Sequence, residues 1–433
     1  MEPVDELVGR LREVCAALPD RRTGKNLKYS MADIGMAAFS VFFMQSPSFL
    51  SHQRALAARR GRSNAETLFS LSAIPCDNHI REMLDGVPSD HFDGLFHDIV
   101  DRVERADGLG PWRVLDGHVL IALDGTEHHR SSKIRCAQCS TQTHASGTVD
   151  YHHRMLGVSI VAPGHKRVLP LPSAFLVPQD GHDKQDSETA AAARWLTHHG
   201  PRLSRLRPVY LGDDLFAHQP SCQQVLDAGA DFLFTAKPQS HKILGEYLHG
   251  VTLDSLTRTV KRGKTRAFYH YRWMSGVPLR DGADALAVNW LEITITNAEG
   301  KQTYRNSFVT SLPVGPDAVE ELAAGARARW KIENETFNVL KNGGYHLEHN
   351  FGHGRETLCQ VLVTLNLLAF AMHEAAATLS NAWIAARATL STKHRFFENL
   401  RTVTNYFIFD SWSQLLHTIA TGDHPPIQST APP

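Results

Sequence analysis

Three acidic residues stand where they could hold a hard divalent cation. Asp124 follows the apolar run Val119-Leu120-Ile121-Ala122-Leu123, and Asp213 follows Pro208-Val209-Tyr210-Leu211-Gly212. Continuous apolar runs of this length read as buried strands. In an α/β sheet, functional groups gather beyond the carboxyl ends of strands. Two carboxylates on neighbouring strand ends repel each other unless a cation joins them. Mg²⁺ takes carboxylate oxygens, keeps several waters and binds phosphate as well. Two such ions about 3.5–4 Å apart can activate water and stabilise the leaving oxygen in phosphodiester chemistry. Either aspartate alone also reads as a turn residue or helix cap.

A third acid shifts that balance. In the segment Arg327-Ala328-Arg329-Trp330-Lys331-Ile332-Glu333-Asn334-Glu335-Thr336-Phe337-Asn338-Val339-Leu340-Lys341, Arg329 and Glu333 are four apart and share a helix face. An ordinary exposed pair leaves unexplained the apolar bulk of Trp330, Ile332, Phe337 and Leu340 around it. A helix packed on the sheet would push Glu333 towards the strand ends. Glu335 is the alternative third carboxylate.

The elements that would position these groups are legible in outline. The first 110 residues read as helical. Ile34, Phe39, Val41, Phe42 and Phe43 follow a helical pattern that Ser46-Pro47-Ser48 breaks, and Arg54, Arg59, Arg60 and Arg62 cluster just after. A second helical unit covers about 78–105. Helical units beside an arginine cluster suit DNA binding; a solvated face on a helical bundle is the other reading.

From Trp112 the pattern changes to strand 119–123, a hairpin of 155–162 and 168–177 around Gly164, a helix at 187–198, strand 208–212, a helix near 223–228 and strand 232–235. This order predicts an α/β layer with a mixed sheet. Residues 251–312 read as all-β. Turn signals are Arg262-Gly263-Lys264 and Asn297-Ala298-Glu299-Gly300, and Trp290, Glu292, Thr294 and Thr296 alternate with Leu291, Ile293 and Ile295. A long helix is expected after Pro316, through Arg329 and Glu333 to about Lys341, ended by Gly343-Gly344. The rest reads as helical to about Ile419. The domains expected are 1–110, 111–250, an inserted β-rich subdomain 251–312, 313–420 and a disordered tail 421–433.

Asp124 after one strand, Asp213 after a second, a β-rich insertion, and a helical Arg-Trp-Lys-Ile-Glu followed by Phe-Asn-Val-Leu-Lys together resemble the DDE transposases of bacterial insertion sequences. The likeness covers roughly residues 112–350 and is to the group with a β-domain inserted before the last acid. It implies an RNase H-like α/β core flanked by helices. The family signature is Tyr, two residues, Arg, three residues, Glu, six residues, Lys. Arg329 and Glu333 match it, Ala326 stands at the tyrosine position, and Lys341 falls one residue late.

The resemblance implies metal-dependent cleavage at transposon ends and joining of the 3′-hydroxyl to target DNA, with two Mg²⁺ or Mn²⁺ ions. Asp124 would bridge both ions, and Asp213 and Glu333 would each complete one. Arg329 and Lys341 would contact DNA, and a homodimer on paired ends is expected. A metal-dependent nuclease without strand transfer, and a transposase-derived protein that binds DNA without cutting it, are the alternatives.

Further constellations remain. Cys136-Ala137-Gln138-Cys139 is followed within 14 residues by His144, His152 and His153. Thiolate and imidazole at such spacing could hold structural Zn²⁺, with Cys136, Cys139 and His152 as the candidate ligands. A loop with free thiols and surface histidines is the other reading. Residues 258–273 interleave Arg258, Lys261, Arg262, Lys264, Arg266 and Arg272 with Phe268, Tyr269, Tyr271 and Trp273. Basic residues neutralise phosphates and aromatic rings stack on bases. Arg262, Lys264 and Arg266 are therefore candidate DNA contacts, with Trp273 and Trp290 as candidate wedges beside a flipped base. Asp186 or Ser187 is the expected cap of the following helix.

Composition excludes several classes. Lys+Arg and Asp+Glu are both 45 in 433 residues, so the chain as a whole is not a basic DNA-coating protein, and any DNA contact must be through local patches. Six cysteines do not make a disulfide scaffold. MEPVDELVGRLREVC lacks an apolar signal core, and the apolar stretch 361–372 is short of the roughly 20 residues that span a bilayer. A cytoplasmic, nucleoid-associated protein without a membrane segment is expected.

Overall fold

The computed structural model describes residues 2–24, 27–56, 63–178, 186–237, 239–263 and 265–425, with backbone alone at 55, 56 and 262. Helices come first: α1 (Pro3–Ala16), α2 (Met31–Phe43), α3 (Phe49–Leu56), α4 (Asn64–Phe69), α5 (Asp77–Leu84) and α6 (Asp93–Arg105). Then come β1 (Arg113–Val114), β2 (His118–Ser131), β3 (Ser140–Thr143), β4 (Val149–Val161), β5 (Leu169–Pro170) and β6 (Ala174–Leu176). Helix α7 (Glu188–Leu203) leads to β7 (Pro208–Gly212), and α8 (Gln219–Asp227) leads to β8 (Asp231–Thr235). Helix α9 (Lys242–His249) precedes β9 (Asp254–Arg262), β10 (Thr265–Pro278), β11 (Ala287–Asn297) and β12 (Gln302–Thr310). The chain closes with α10 (Val319–Arg327), a π-turn at Ile332–Phe337, α11 (Asn338–Asn342), α12 (Leu358–Leu379), α13 (Asn381–Ala388), α14 (Lys393–Tyr406) and α15 (Trp412–Thr421).

The strands form one mixed sheet in the order β3-β4-β2-β7-β8-β12-β11-β10-β9. β2 lies parallel to β7, and β7 parallel to β8; the other neighbours along this order are antiparallel. The helices α7 and α8 supply the crossovers that parallel pairing requires. The segment 251–312 folds as an antiparallel meander, β9 to β12, and it joins the same sheet through Phe308↔Thr235, Val309↔Phe234 and Thr310↔Leu233. Its clean alternation does not mark a solvent face. Trp290 and Glu292 line a cavity of about 190 Å³ together with Leu244 and Leu248 of α9, so the polar-looking side of β11 is covered as well.

Helix α2 is apolar around its whole circumference, and every residue from Met31 to Phe43 is buried. Such a helix must be surrounded. Ser30 caps it in a reciprocal box with Asp33, whose carboxylate also accepts from the Ser72 amide and hydroxyl. Its surroundings include α1, α5 and α12, so the N-terminal helices share a core with the C-terminal ones. The Phe43 ring lies against Phe69, His373, Trp383 and Trp412. Of the arginine cluster expected to meet DNA here, Arg59, Arg60 and Arg62 lie outside the described residues.

Helix α12 is longer than the apolar run that betrays it. It has 22 residues and a window of mean hydropathy 1.4, long and apolar enough to cross a membrane, but 89% of that window is buried inside the protein. It packs between α2, α6 and β5.

Buried histidines make this helical core sensitive to acid. His52 lies between the hydroxyls of Ser40 and Ser46, and His373 is held by the Tyr345 hydroxyl at 2.7 Å. Burial lowers both to about 3. Protons are therefore taken up by the unfolded chain from about pH 6.5 downwards, while the folded chain stays neutral until about pH 3. Stability is complete above pH 6.5 and falls as pH drops, by at most about 1.4 kcal/mol per pH unit for each histidine. We expect the thermal unfolding midpoint to fall between pH 7 and pH 5, and His373→Phe to flatten that fall. An equal fall in the variant would remove His373 as a cause.

Candidate carboxylate site

Asp124 does not end its strand. β2 runs on to Ser131, because Asp124 is still paired with Gly157 of β4. What ends near Asp124 is the parallel neighbour: β7 pairs with β2 only as far as Ala122↔Leu211, and the chain turns away at Gly212. Asp213 follows at once. Its side chain accepts from the Leu215 amide at 2.9 Å, which holds the turn. Two adjacent parallel strands thus bring Asp124 and Asp213 together at the carboxyl end of β7. Asp214 is turned elsewhere, towards His241 at 3.2 Å and the Lys237 amide.

The expected long helix is interrupted. α10 ends at Arg327, Ala328 and Arg329 form a turn, and Ile332–Phe337 is a π-turn. Arg329 stands in this interruption and reaches Asp124 on β2. Its guanidinium donates to Asp124 at 3.2 Å and pairs with Glu333 at 3.0 Å. Arg329 is 8% exposed and is committed to these two acids, not presented to DNA as expected. Ile332, Phe337 and Leu340 are buried, but Trp330 is 50% exposed beside the Arg329 guanidinium and adds nothing to the apolar packing.

A π-turn takes up one residue more than an α-turn. Lys341 pairs with Glu348 at 2.8 Å.

Phe337 fixes how closely this turn approaches the sheet. A Cβ added at Gly157 would lie 2.5 Å from the Phe337 ring. Gly157 is the cross-strand partner of Asp124, so the absent side chain is the space into which the π-turn seats. Ser159 and Thr336 hold the same contact with a 3.1 Å hydrogen bond.

Burial raises the Asp124 carboxyl, Arg329 opposes this, and Glu333 and Asp213 push it further up, to about 7. A fourth acid stands close by. Glu188, in the first turn of α7, lies over Gly125, where an added Cβ would meet its carboxylate at 2.1 Å. Burial raises Glu188 too, Arg154 opposes this, and Asp213 adds to the rise. Its neighbours have structural roles: Ser187 caps α7, as expected, and Asp186 is bound by Arg194 at 2.6 Å.

The donor set is all carboxylate oxygen, which suits a hard divalent cation. The three acids do not form a group whose oxygens all lie within 4.8 Å of one another. A two-ion arrangement with Asp124 between them needs no such closeness of Asp213 to Glu333. Arg329 stands in the position of a cation between Asp124 and Glu333. We expect Arg329→Gln to lower the metal-free unfolding midpoint, at a cost of about 3 kcal/mol for breaking a largely buried pair. The rise in that midpoint on adding Mn²⁺ should then exceed the wild-type rise. An unchanged response to Mn²⁺ would separate Arg329 from the cation site.

The other expected contacts are placed differently. Trp290 and Trp273 are each 5% exposed, so neither ring is free to wedge beside a base. Strand β11, half-solvated by its alternation, is buried on both faces from Trp290 to Ile293. Arg272 and Arg305 bind buried Glu292 at 2.5 and 2.9 Å. Arg266 is exposed and pairs in register with Lys261 near the end of the β9–β10 hairpin. The Arg262 side chain and Lys264 lie outside the described residues.

The thiol loop meets His153, not His152. Adjacent residues of a strand face opposite sides, so only one of the two can share a face with Cys139. His153 Nε2 lies 3.4 Å from both the Cys136 and Cys139 sulfurs, and His353 Nε2 lies 3.6 Å from the Cys139 sulfur. His144 is bound to Asp150 at 3.0 Å.

No protein-family model matches the chain. No curated protein matches it either.

Proposed function

We propose that this chain is a DDE-type DNA transposase with an RNase H-like core, acting on phosphodiester bonds at transposon ends with Mg²⁺ or Mn²⁺. The observation that carries the reading is the convergence of Asp124, Asp213 and Glu333 from two adjacent parallel strands and a π-turn, with Arg329 joining two of them. The strand order β3-β4-β2-β7-β8, with β2 central and the parallel pairs on one side of it, supports the RNase H-like core. The meander β9–β12, placed before Glu333 in the chain, supports the likeness to the group with an inserted β-domain.

Asp124 is central and would serve two ions, with Asp213 on one side and Glu333 on the other. Two ions, when bound, activate the attacking oxygen and stabilise the leaving one in an in-line displacement. Arg329 orients Asp124 and Glu333 through its two donors. Glu188 adds negative charge that favours cation over bare phosphate at this edge. Lys261 and Arg266 on the outer hairpin would neutralise backbone phosphates of the DNA. A homodimer on paired ends follows from the need to cut and join two ends together.

The test is cleavage and joining of DNA carrying the element's own ends, with and without Mg²⁺ or Mn²⁺. Metal-dependent nicks at the ends and joined products are the expected result. Nicks without joining would make the protein a nuclease. Binding without any metal-dependent product would make it a DNA-binding protein only.

A further inference from the structure

The Cys136–Cys139 loop, β4 and the segment between α11 and α12 are distant in sequence yet meet at one point. Cys136 and Cys139 lie in the connection from β2 to β3, in a turn closed by the Cys139 amide on the Cys136 carbonyl at 3.2 Å. His153 comes from β4 and His353 from the segment that follows the π-turn. The four ligand atoms all lie within 4.8 Å of one another. Cys139 is 4% exposed, His153 1% and His353 7%.

The edges of this cluster have the dimensions of a coordination tetrahedron. With metal–sulfur bonds of about 2.3 Å and metal–nitrogen bonds of about 2.05 Å, a tetrahedral zinc site has a sulfur–sulfur edge of about 3.8 Å and sulfur–nitrogen edges of about 3.55 Å. The sulfur–sulfur edge is 3.8 Å, and three of the four sulfur–nitrogen edges are 3.4, 3.4 and 3.6 Å. Two thiolates and two neutral imidazoles carry two negative charges, which one divalent ion cancels. That cancellation is what a buried site needs. Thiol–imidazole hydrogen bonds have similar lengths pair by pair, but they do not require all four ligand atoms to converge on one point, as they do here.

We propose that Cys136, Cys139, His153 and His353 bind one structural zinc ion, which staples the β2–β3 connection to the segment following the Glu333 π-turn. The site is closed: four protein ligands leave no position for water, so the ion is structural and not catalytic. It joins residues 214 apart in sequence, Cys139 and His353. Its two sides belong to the two halves of the carboxylate site, one carrying Asp124 on β2 and the other Glu333. The ion would fix the second half against the first. His129 and His128 surround the cluster, with the His129 ring 4.4 Å from that of His353 and the His128 ring stacked at 5.7 Å on that of His153, but neither belongs to the ligand set.

The test uses the full chain purified without chelator. Zinc is counted by mass spectrometry of the metal and by release to a chromogenic chelator after denaturation. One equivalent per chain is expected. Replacement by Co²⁺ should give the strong visible absorption of a tetrahedral two-thiolate site. Cys136→Ser, His153→Ala and His353→Ala should each lose most of the zinc, while His152→Ala and His129→Ala keep it. Stripping the metal should lower the unfolding midpoint by roughly 5–10 °C, recovered on adding Zn²⁺. The metal count and the cobalt spectrum of the wild type stand whether or not the variants fold. Less than a tenth of an equivalent of zinc after refolding in Zn²⁺, a Cys136–Cys139 disulfide in the folded protein, or full zinc retention by His353→Ala would each overturn the proposal. None of these readouts depends on DNA cleavage, so they stand or fall apart from the transposase reading.

Discussion

Asp124→Asn, Asp213→Asn and Glu333→Gln should each reduce metal-dependent DNA cleavage by roughly a thousandfold or more, equivalent to about 4 kcal/mol of transition-state stabilisation. Glu335→Gln should stay within about tenfold of wild type. The contrast rests on geometry: Glu333 pairs with Arg329 and raises Asp124, and Glu335 has no part in that cluster. The amide variants keep the shape of each side chain, so folding and DNA binding should persist while both cleavage and joining stop. If Glu335→Gln were the dead variant, the third ligand would move by two residues within the π-turn. If Asp124→Asn cut DNA normally, the carboxylate site would have no catalytic role.

Gly157→Ala should be the most damaging single methyl in the sheet beside the carboxylates. The added Cβ would meet the Phe337 ring at 2.5 Å, and the neighbour is a buried aromatic side chain with little room to give. Overpacking of this kind costs about 1–3 kcal/mol of stability. The larger effect falls on activity. Phe337 ends the π-turn that carries Glu333, and Gly157 is opposite Asp124, so relief of the clash separates the third acid from the first. A misplacement of about 1 Å at a reacting centre costs about a hundredfold in rate. Phe337→Leu in the Gly157→Ala background should recover part of both losses, and a double-mutant cycle should give a coupling of about 0.5–3 kcal/mol. Calorimetry and cleavage rates read the two effects separately. A Gly157→Ala protein within twofold of wild type in rate, with an unchanged melt, would show that the π-turn is not seated by this contact.

Much of the sheet was legible. The runs 119–123, 208–212 and 232–235 carry enough consecutive apolar residues that only a buried strand accommodates them, and β2, β7 and β8 include them. The meander 251–312 was legible from its turn residues. Other features were not. β2 continues eight residues past Leu123 with a mixed composition, because its pairing to β4, and not its own hydrophobicity, keeps it extended. The helix around Glu333 reads as continuous because π- and α-turns use the same residues. The burial of Trp290 depends on α9, which packs on β10 and lines a cavity with Trp290, and no alternation in β11 itself can reveal that.

By itself the sequence determined the main buried strands and their order, the β-rich character of 251–312, and two aspartates placed just after apolar runs. These are local properties: hydrophobic period, turn residues and chain order are read within a few residues. The tertiary structure alone decided which charged groups meet. It joined Arg329 to Asp124, 205 residues away, and turned His153 rather than His152 towards the thiols. It also brought His353 to Cys139 across 214 residues. The physical reason is that ion pairs and ligand sets depend on distances of a few ångströms. Those distances are fixed by strand register, by the face a side chain takes and by the space a missing Cβ leaves.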